Sequence, residues 1–150
     1  MFTLHLVCMG NLCRSPMAAA VFRARLPVER CRVVSAGLVV PSGRPVAPLA
    51  VAVLRANGLP APQAPPCRFD PATLADDDLV LTMQHRHVRA LRALVPQARS
   101  RIQLLGRWMP QPEIDDPMGG DLADFERTFA RIVECVDQWC ARDARLSPCM

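Results

Sequence analysis

Residues 8–16 read Cys-Met-Gly-Asn-Leu-Cys-Arg-Ser-Pro, which sets two cysteines, a Gly-Asn pair, an arginine and a Ser-Pro within nine positions. Upstream, residues 3–9 (TLHLVCM) are apolar or alternating and rich in strand formers, which predicts a first strand. Downstream, Ser15-Pro16 reads as an N-cap followed by proline at the first helical position, and MAAAVFRARL predicts a helix over 16–26. Gly10 and Asn11 are residue types that readily tolerate positive φ. The stretch is thus a strand–loop–helix junction with thiols at the carboxyl end of a strand. Structural, metal-binding, redox and nucleophilic roles are all open to them at this point.

Outward from the junction the pattern repeats. Residues 31–36 (CRVVSA) form a second strand stopped by Gly37, and 39–48 form a Pro/Gly loop. Residues 49–57 form a helix with Gly58 at its C-terminal stop. The proline-rich 59–70 is irregular, and 71–76 suggests a short helix. Residues 79–83 (LVLTM) form a third strand buried on both faces. A helix over 84–95 ends at Pro96, and 102–105 form a short fourth strand. Residues 106–120 are a loop, and a long helix over 121–145 closes the chain. Strands alternating with helices imply an α/β fold: a central four-stranded parallel sheet with helices on both faces. Ligands bind such sheets at the carboxyl ends of strands, where the loop between strand one and helix one would lie.

Composition narrows the classes. A chain of 150 residues, 51% hydrophobic, suits one domain over 1–150 with a sizeable core. Its apolar runs fall short of a membrane span, so no membrane insertion is expected. The N-terminus has no basic region before its apolar stretch, so it reads as a strand rather than a signal peptide, and a cytoplasmic location follows. Seven cysteines, an odd number without C-x-x-C or zinc spacing, argue against a secreted disulfide framework and a metal site. Net charge is formally +4 and every basic residue is Arg. These are scattered without interleaved aromatics, which argues against a nucleic-acid partner.

Cys8 to Arg14 is C-x5-R, and its context gives the spacing meaning. Successive backbone N–H groups of such a loop can turn inward as a nest. The helix N-terminus adds free donors and a positive dipole end. Arg14 adds a planar fork for bidentate contact with phosphate oxygens. The sum is a cradle for a tetrahedral oxyanion. A thiol on that loop is favoured as thiolate, beneath the phosphorus of a bound phosphate ester. In-line attack by Cys8 and a phosphocysteine intermediate follow.

V-C-M-G-N-L-C-R-S-P resembles the signature of the low-molecular-weight protein tyrosine phosphatases. The similarity extends to Ser35-Ala36-Gly37, DLVLTMQHRHVRAL (78–91), LLGRW (104–108) and EIDDPMGGDLADFE (113–126). It is greatest to the bacterial branch, whose members work beside tyrosine autokinases of capsule and exopolysaccharide export. The resemblance implies Cys8 as nucleophile and Arg14 as phosphate clamp. It implies phosphate-binding N–H groups from Met9, Gly10, Asn11, Leu12, Cys13, Arg14 and Ser15. Ser15 would hold the thiolate, and Asn11 and Ser35 would brace the loop. Asp116-Pro117 matches the family's Asp-Pro general acid, with Asp115 as neighbouring competitor. Cys13 matches a cysteine that can close a reversible disulfide with the nucleophile. Leu38 and Met118 are expected to line the substrate cleft. No cofactor is implied. The partner would be a phosphotyrosine protein, such as the cytoplasmic tail of a membrane tyrosine autokinase, with inorganic phosphate released by a monomer.

The chain departs from the family pattern at three places. Met118 stands where an aromatic commonly follows Asp-Pro, and the chain has no Tyr. APPCRF (64–69) lacks the His that often buttresses the loop. Gln84 replaces an Asp or Glu after the third strand. His5, His85 and His87 are read as non-catalytic, and Cys31, Cys67, Cys135, Cys140 and Cys149 as structural or incidental. Three alternatives share features with this reading. An arsenate reductase of this fold needs relay cysteines after the third strand, and none lies between Cys67 and Cys135. Arginine phosphatases tend to carry Thr where Leu12 stands. A non-catalytic phosphotyrosine-binding module needs no acid.

Overall fold

The computed structural model describes residues 1–148, so Cys149 lies outside the described residues. Strands β1 (Phe2–Cys8), β2 (Cys31–Gly37), β3 (Leu79–Thr82) and β4 (Ile102–Leu104) form one parallel sheet ordered β2-β1-β3-β4. Successive side chains of a strand point to opposite faces, and a parallel sheet buries both. Leu4, Leu6 and Cys8 of β1 share one core with Leu79, Leu81 and Met83. Helices α1 (Arg14–Arg25), α2 (Pro48–Ala56) and α4 (Leu122–Arg142) supply residues to that core. Val7, Val80, Ile102 and Leu104 pack on the opposite face with Val88 and Leu91 of α3 (His85–Leu94). From β1 the chain builds first toward β2 and later toward β3, so strand order reverses beside the carboxyl end of β1. A crevice opens at such a point, and residues 8–16 occupy it.

The elements match the sequence pattern with four changes at their ends. Helix α1 starts at Arg14, and Cys13 is its N-cap residue without a side-chain cap bond. Ser15 is therefore not the cap, because its hydroxyl is engaged with Cys8 and the Ala36 carbonyl. Pro16 falls third in the helix, where an N–H would lack an intrahelical partner anyway. The expected helix over 71–76 is only a 3-10 turn, Pro71–Thr73, with the Asp70 side chain accepting from the Ala72 N–H. Pro96–Arg101 adds a 3-10 turn after α3. The closing helix stops at Arg142, and Asp143 starts a separate turn, Ala144–Leu146. At its other end Asp121 and Asp124 form a reciprocal capping box.

The outer edge of β2 is closed by side chains and a crossing segment. Arg23 donates to the Val33 carbonyl at 3.2 and 2.8 Å, and the Cys67 thiol to the Ser35 carbonyl at 3.4 Å. Gly37 exchanges backbone bonds with Cys67 and Phe69. These contacts leave little of the strand edge free for another chain.

At the opposite end of the sheet, buried Asp78 ties β1 to β3. Its carboxylate accepts from the Thr3 N–H at 2.9 Å and the Ala75 N–H at 2.9 Å, and meets His5 Nε2 at 2.9 Å. Burial alone would push this carboxyl up. The hydrogen bonds from Ala75, His5 and Thr3 and the charge of His5 together outweigh burial and hold it below the ordinary carboxylate range. A depressed folded pKa contributes stability above the unfolded value, and that stability is lost as pH falls through the folded value. Asp78→Ala leaves buried partners unsatisfied and is expected to cost about 3 kcal/mol at neutral pH. In urea titrations the gap from the parent protein should narrow as pH drops below about 4. A pH-independent gap would contradict this role.

Candidate active site

The phosphate loop is built so that its acceptors are used and its donors are free. Its carbonyls are taken by neighbours: Cys8 by Leu38 N–H at 3.0 Å, Met9 by Val39 N–H at 2.9 Å, Leu12 by Ala47 N–H at 2.7 Å and Cys13 by Met17 N–H at 3.0 Å. Among the described residues, no protein acceptor takes the N–H of Met9, Gly10, Asn11, Leu12, Cys13, Arg14 or Ser15. A loop with spare donors at a helix N-terminus is an anion site.

The turn depends on Asn11, the only non-glycine residue with positive φ among those described (57°). Gly10 does not adopt positive φ, so that expectation holds for Asn11 alone. The Asn11 side-chain amide donates to Ser15 Oγ at 2.8 Å and Ser35 Oγ at 3.1 Å, and its oxygen accepts from the Cys67 N–H at 3.0 Å. The Cys67 main chain thus supplies a buttress in the segment that lacks the family's His. Ser15 Oγ lies 3.0 Å from Cys8 Sγ and 3.2 Å from the Ala36 carbonyl. Its proton can turn to the carbonyl when Cys8 is a thiol and to the sulfur when Cys8 is a thiolate.

Arg14 is the charge of the site, and it is only 1% exposed. Its Nη1 donates to Gln84 Oε1 and to the Ile114 carbonyl, both at 2.8 Å. Both Nη1 anchors are neutral, so they fix the guanidinium without adding a countercharge. Nε is buried without a partner among the described residues, and Nη2 stands 3.6 Å from Asp116 Oδ2. A buried guanidinium with an unmatched donor calls for an anion.

Asp116 reaches over this cradle from the loop before α4. Its Oδ1 accepts from the Met118 N–H at 3.0 Å and the Cys13 thiol at 3.5 Å, while its side chain stays 40% exposed. Asp115 does not line the cleft above Cys8 but an outer groove beside Glu113 and Arg127. The geometry therefore separates two adjacent carboxylates that the sequence leaves as competitors. A family model described as low molecular weight phosphotyrosine protein phosphatase matches residues 3–147. The chain belongs to that family. A probable low molecular weight protein-tyrosine-phosphatase, EpsP of Ralstonia solanacearum, is 36% identical over 93% of this chain and 94% of its own. The structure of Vibrio vulnificus Wzb in complex with benzylphosphonate aligns with TM-score 0.85 and 27% identity, covering 94% of this chain and 98% of the other. The YwlE arginine phosphatase from Geobacillus stearothermophilus aligns with TM-score 0.83 and 26% identity, over 95% and 92%. Fold likeness alone therefore does not choose between phosphate esters and phosphoguanidines.

The phosphatase cleft has a volume of about 210 Å³ and is walled by Leu12, Val39, Pro41, Arg44, Asp116 and Met118 above Cys8 and Arg14. Met118 takes its expected place. Leu38 does not: its side chain packs against the core on the opposite face and lines a separate groove with Phe69 and Leu94. Successive residues leaving a strand point to opposite sides, so the cleft falls to Val39, one position further on.

Cys8 and Cys13 are both free thiols. Burial, reinforced by the Asp116 carboxylate, pushes the Cys13 thiol well up, so it stays protonated and serves as a donor to Asp116. Cys31, Cys135 and Cys140 are buried, and Cys67 is exposed. Among the described residues no cluster of three His, Cys, Asp or Glu is placed to hold a metal. His87 is fully buried, and neither ring nitrogen has a partner among the described residues. Burial, with the nearby charges of Arg14 and Arg86, pulls it down to about 4, so it is neutral behind the site.

The Ile114 carbonyl and the close packing of Gly37 escaped the sequence reading, and Gln84 was noted there only as a departure from the family pattern, not as an anchor of Arg14. Gln84 follows β3 directly, at the end where this phosphatase fold collects its site, and that position was the available signal. Gly37 read as a strand stop, but it lets β2 press against the loop. An added Cβ there would lie 2.9 Å from Asn11 N, the Gly10 carbonyl carbon and Met9 O. Gly37→Ala must therefore displace the loop, and it is expected to lower kcat/KM about 10²-fold. Inhibition by inorganic phosphate should weaken in parallel, with the thermal midpoint recorded on the same samples. Unchanged kinetics would show that the loop tolerates the shift.

Proposed function

We propose that this enzyme hydrolyses protein phosphotyrosine through a phosphocysteine on Cys8. The observation that carries the reading is the buried Arg14, its Nε without a partner among the described residues, beside a loop whose N–H groups are unused, with a thiol at its base. In the first step the Cys8 thiolate forms the S–P bond as the P–O bond to tyrosine breaks. Asp116, protonated, gives its proton to the leaving phenolate. Arg14 and the loop N–H groups bind the equatorial oxygens, where charge collects in the transition state. In the second step Asp116, now a carboxylate, takes a proton from water as the water oxygen attacks phosphorus. The S–P bond breaks, the Ser15 hydroxyl donates to the departing thiolate, and inorganic phosphate is released.

Support for an aromatic ester comes from the cleft walls. Leu12, Val39, Pro41 and Met118 are apolar and suit a flat ring, whereas a phosphoguanidine would bring a polar group against them. Arsenate reduction finds no relay cysteine between Cys67 and Cys135. We assign the enzyme to the cytoplasm as a monomer, since one chain supplies every named group. Among the described residues no helix is long and apolar enough to cross a membrane. Its substrates would be tyrosine-phosphorylated proteins of exopolysaccharide or capsule export, including the cytoplasmic tail of a tyrosine autokinase. The support for that pathway is the resemblance to the bacterial branch. Cys13 would cap an oxidised Cys8 as a disulfide.

The test compares one peptide sequence carrying phosphotyrosine, phosphoserine or phosphoarginine at the same position. Phosphotyrosine is expected to be turned over at least about 10²-fold faster than the others, a discrimination set by pocket contacts. Faster release from phosphoarginine would overturn the assignment.

A further inference from the structure

Arg44 stands at the rim of the cleft, exposed, and has no ion pair or hydrogen bond among the described residues. The mechanism above does not use it. Its loop is not free to wander. One end is fixed by the bond from Val39 N–H to the Met9 carbonyl and the other by that from Ala47 N–H to the Leu12 carbonyl, 2.9 and 2.7 Å. Both anchors lie on the phosphate loop itself. Between them Gly43 turns the chain with φ 73°, and Pro45 follows Arg44 and restricts its backbone. The Arg44 backbone is therefore anchored to the phosphate loop, and its solvated side chain extends from the rim of the cleft. The other charged groups bordering the cleft are Arg14, committed to phosphate, and Asp116.

We propose that Arg44 is a specificity-determining residue, binding the carboxylate of an Asp or Glu that lies within a few positions of the phosphotyrosine. The inference rests on the phosphotyrosine reading and extends it from the phosphorylated side chain to the surrounding peptide. Arg presents a fork that matches a carboxylate, and an unpaired cation at a binding rim selects partners by charge and speeds their encounter. Asp116, which lines the same cleft, repels a carboxylate brought near it, so the preference should be confined to one flank of the phosphotyrosine.

The test measures kcat/KM on three phosphotyrosyl peptides: a neutral one, one with Glu at the three positions before phosphotyrosine, and one with Glu at the three after it. The wild type is expected to favour one acidic peptide over the neutral one by about three- to fivefold, the range of a solvated ion pair. That ratio should fall toward one at 0.5 M salt (on the order of a 4 Å screening length). Arg44→Lys should keep the order, Arg44→Ala should bring the ratio to about one, and Arg44→Glu should invert it. The ratio is taken within each variant, so a general loss of activity does not disturb it. A wild-type ratio of one, or an unchanged ratio in Arg44→Ala, overturns the role of Arg44 while the phosphotyrosine reading stands. Turnover of none of the peptides by the wild type overturns both.

Discussion

Cys8→Ser is expected to abolish turnover, with a loss on the order of 10⁴-fold or more, while the protein still folds and binds phosphate. The size of the loss follows from the site. The loop N–H groups and Arg14 hold the oxyanion in either protein, so binding is largely kept. What disappears is the nucleophile. A thiol ionises far more readily than an alcohol, and Ser15 at 3.0 Å supplies a donor but no base. Steady-state rates on para-nitrophenyl phosphate and calorimetric titration with inorganic phosphate check both halves. A variant that retains a tenth of the parent rate would remove Cys8 from the mechanism.

Asp116→Ala is expected to reduce kcat/KM for phenyl phosphate by about 10²- to 10³-fold, the usual worth of a positioned proton donor. For para-nitrophenyl phosphate, whose leaving group needs less help, the reduction should be clearly smaller. This dependence on the leaving group separates an acid from a merely structural residue. Asp115→Ala should change either substrate by less than about threefold, because Asp115 faces the outer groove. Equal losses from the two aspartates would contradict the assignment of Asp116. The variant also removes the carboxylate beside Arg14 Nη2, so phosphate should bind no more weakly than to the parent.

Much of the fold and half of the site were legible in the residues. The four strands and four helices announce themselves through apolar runs broken by Gly and Pro, and the strand–loop–helix setting of C-x5-R points to an oxyanion. Ser15 shows where local rules fail. A Ser-Pro pair before an apolar run has the form of a cap, yet tertiary contacts with Cys8 and Ala36 claim the hydroxyl and the helix starts two residues earlier, at Arg14. Leu38 shows a second kind of failure. Which of two adjacent residues faces a cleft depends on where the strand pleat ends, and one position decides the side. Gln84 and the Ile114 carbonyl hold Arg14 across 70 and 100 residues of chain, and no local pattern encodes such distant pairings. Asp115 and Asp116 are alike in sequence, and only the placement of the loop over Arg14 tells them apart.

The central claim is a covalent phosphoryl group on Cys8. Wild-type enzyme turning over para-nitrophenyl phosphate can be quenched in acid within milliseconds and mapped by peptide mass spectrometry. A burst of nitrophenol approaching one per chain is predicted, with one phosphoryl group on the peptide that contains Cys8 and none in the Cys8→Ser protein. A burst without a phosphorylated Cys8, or a phosphoryl group on any other residue, would contradict the account.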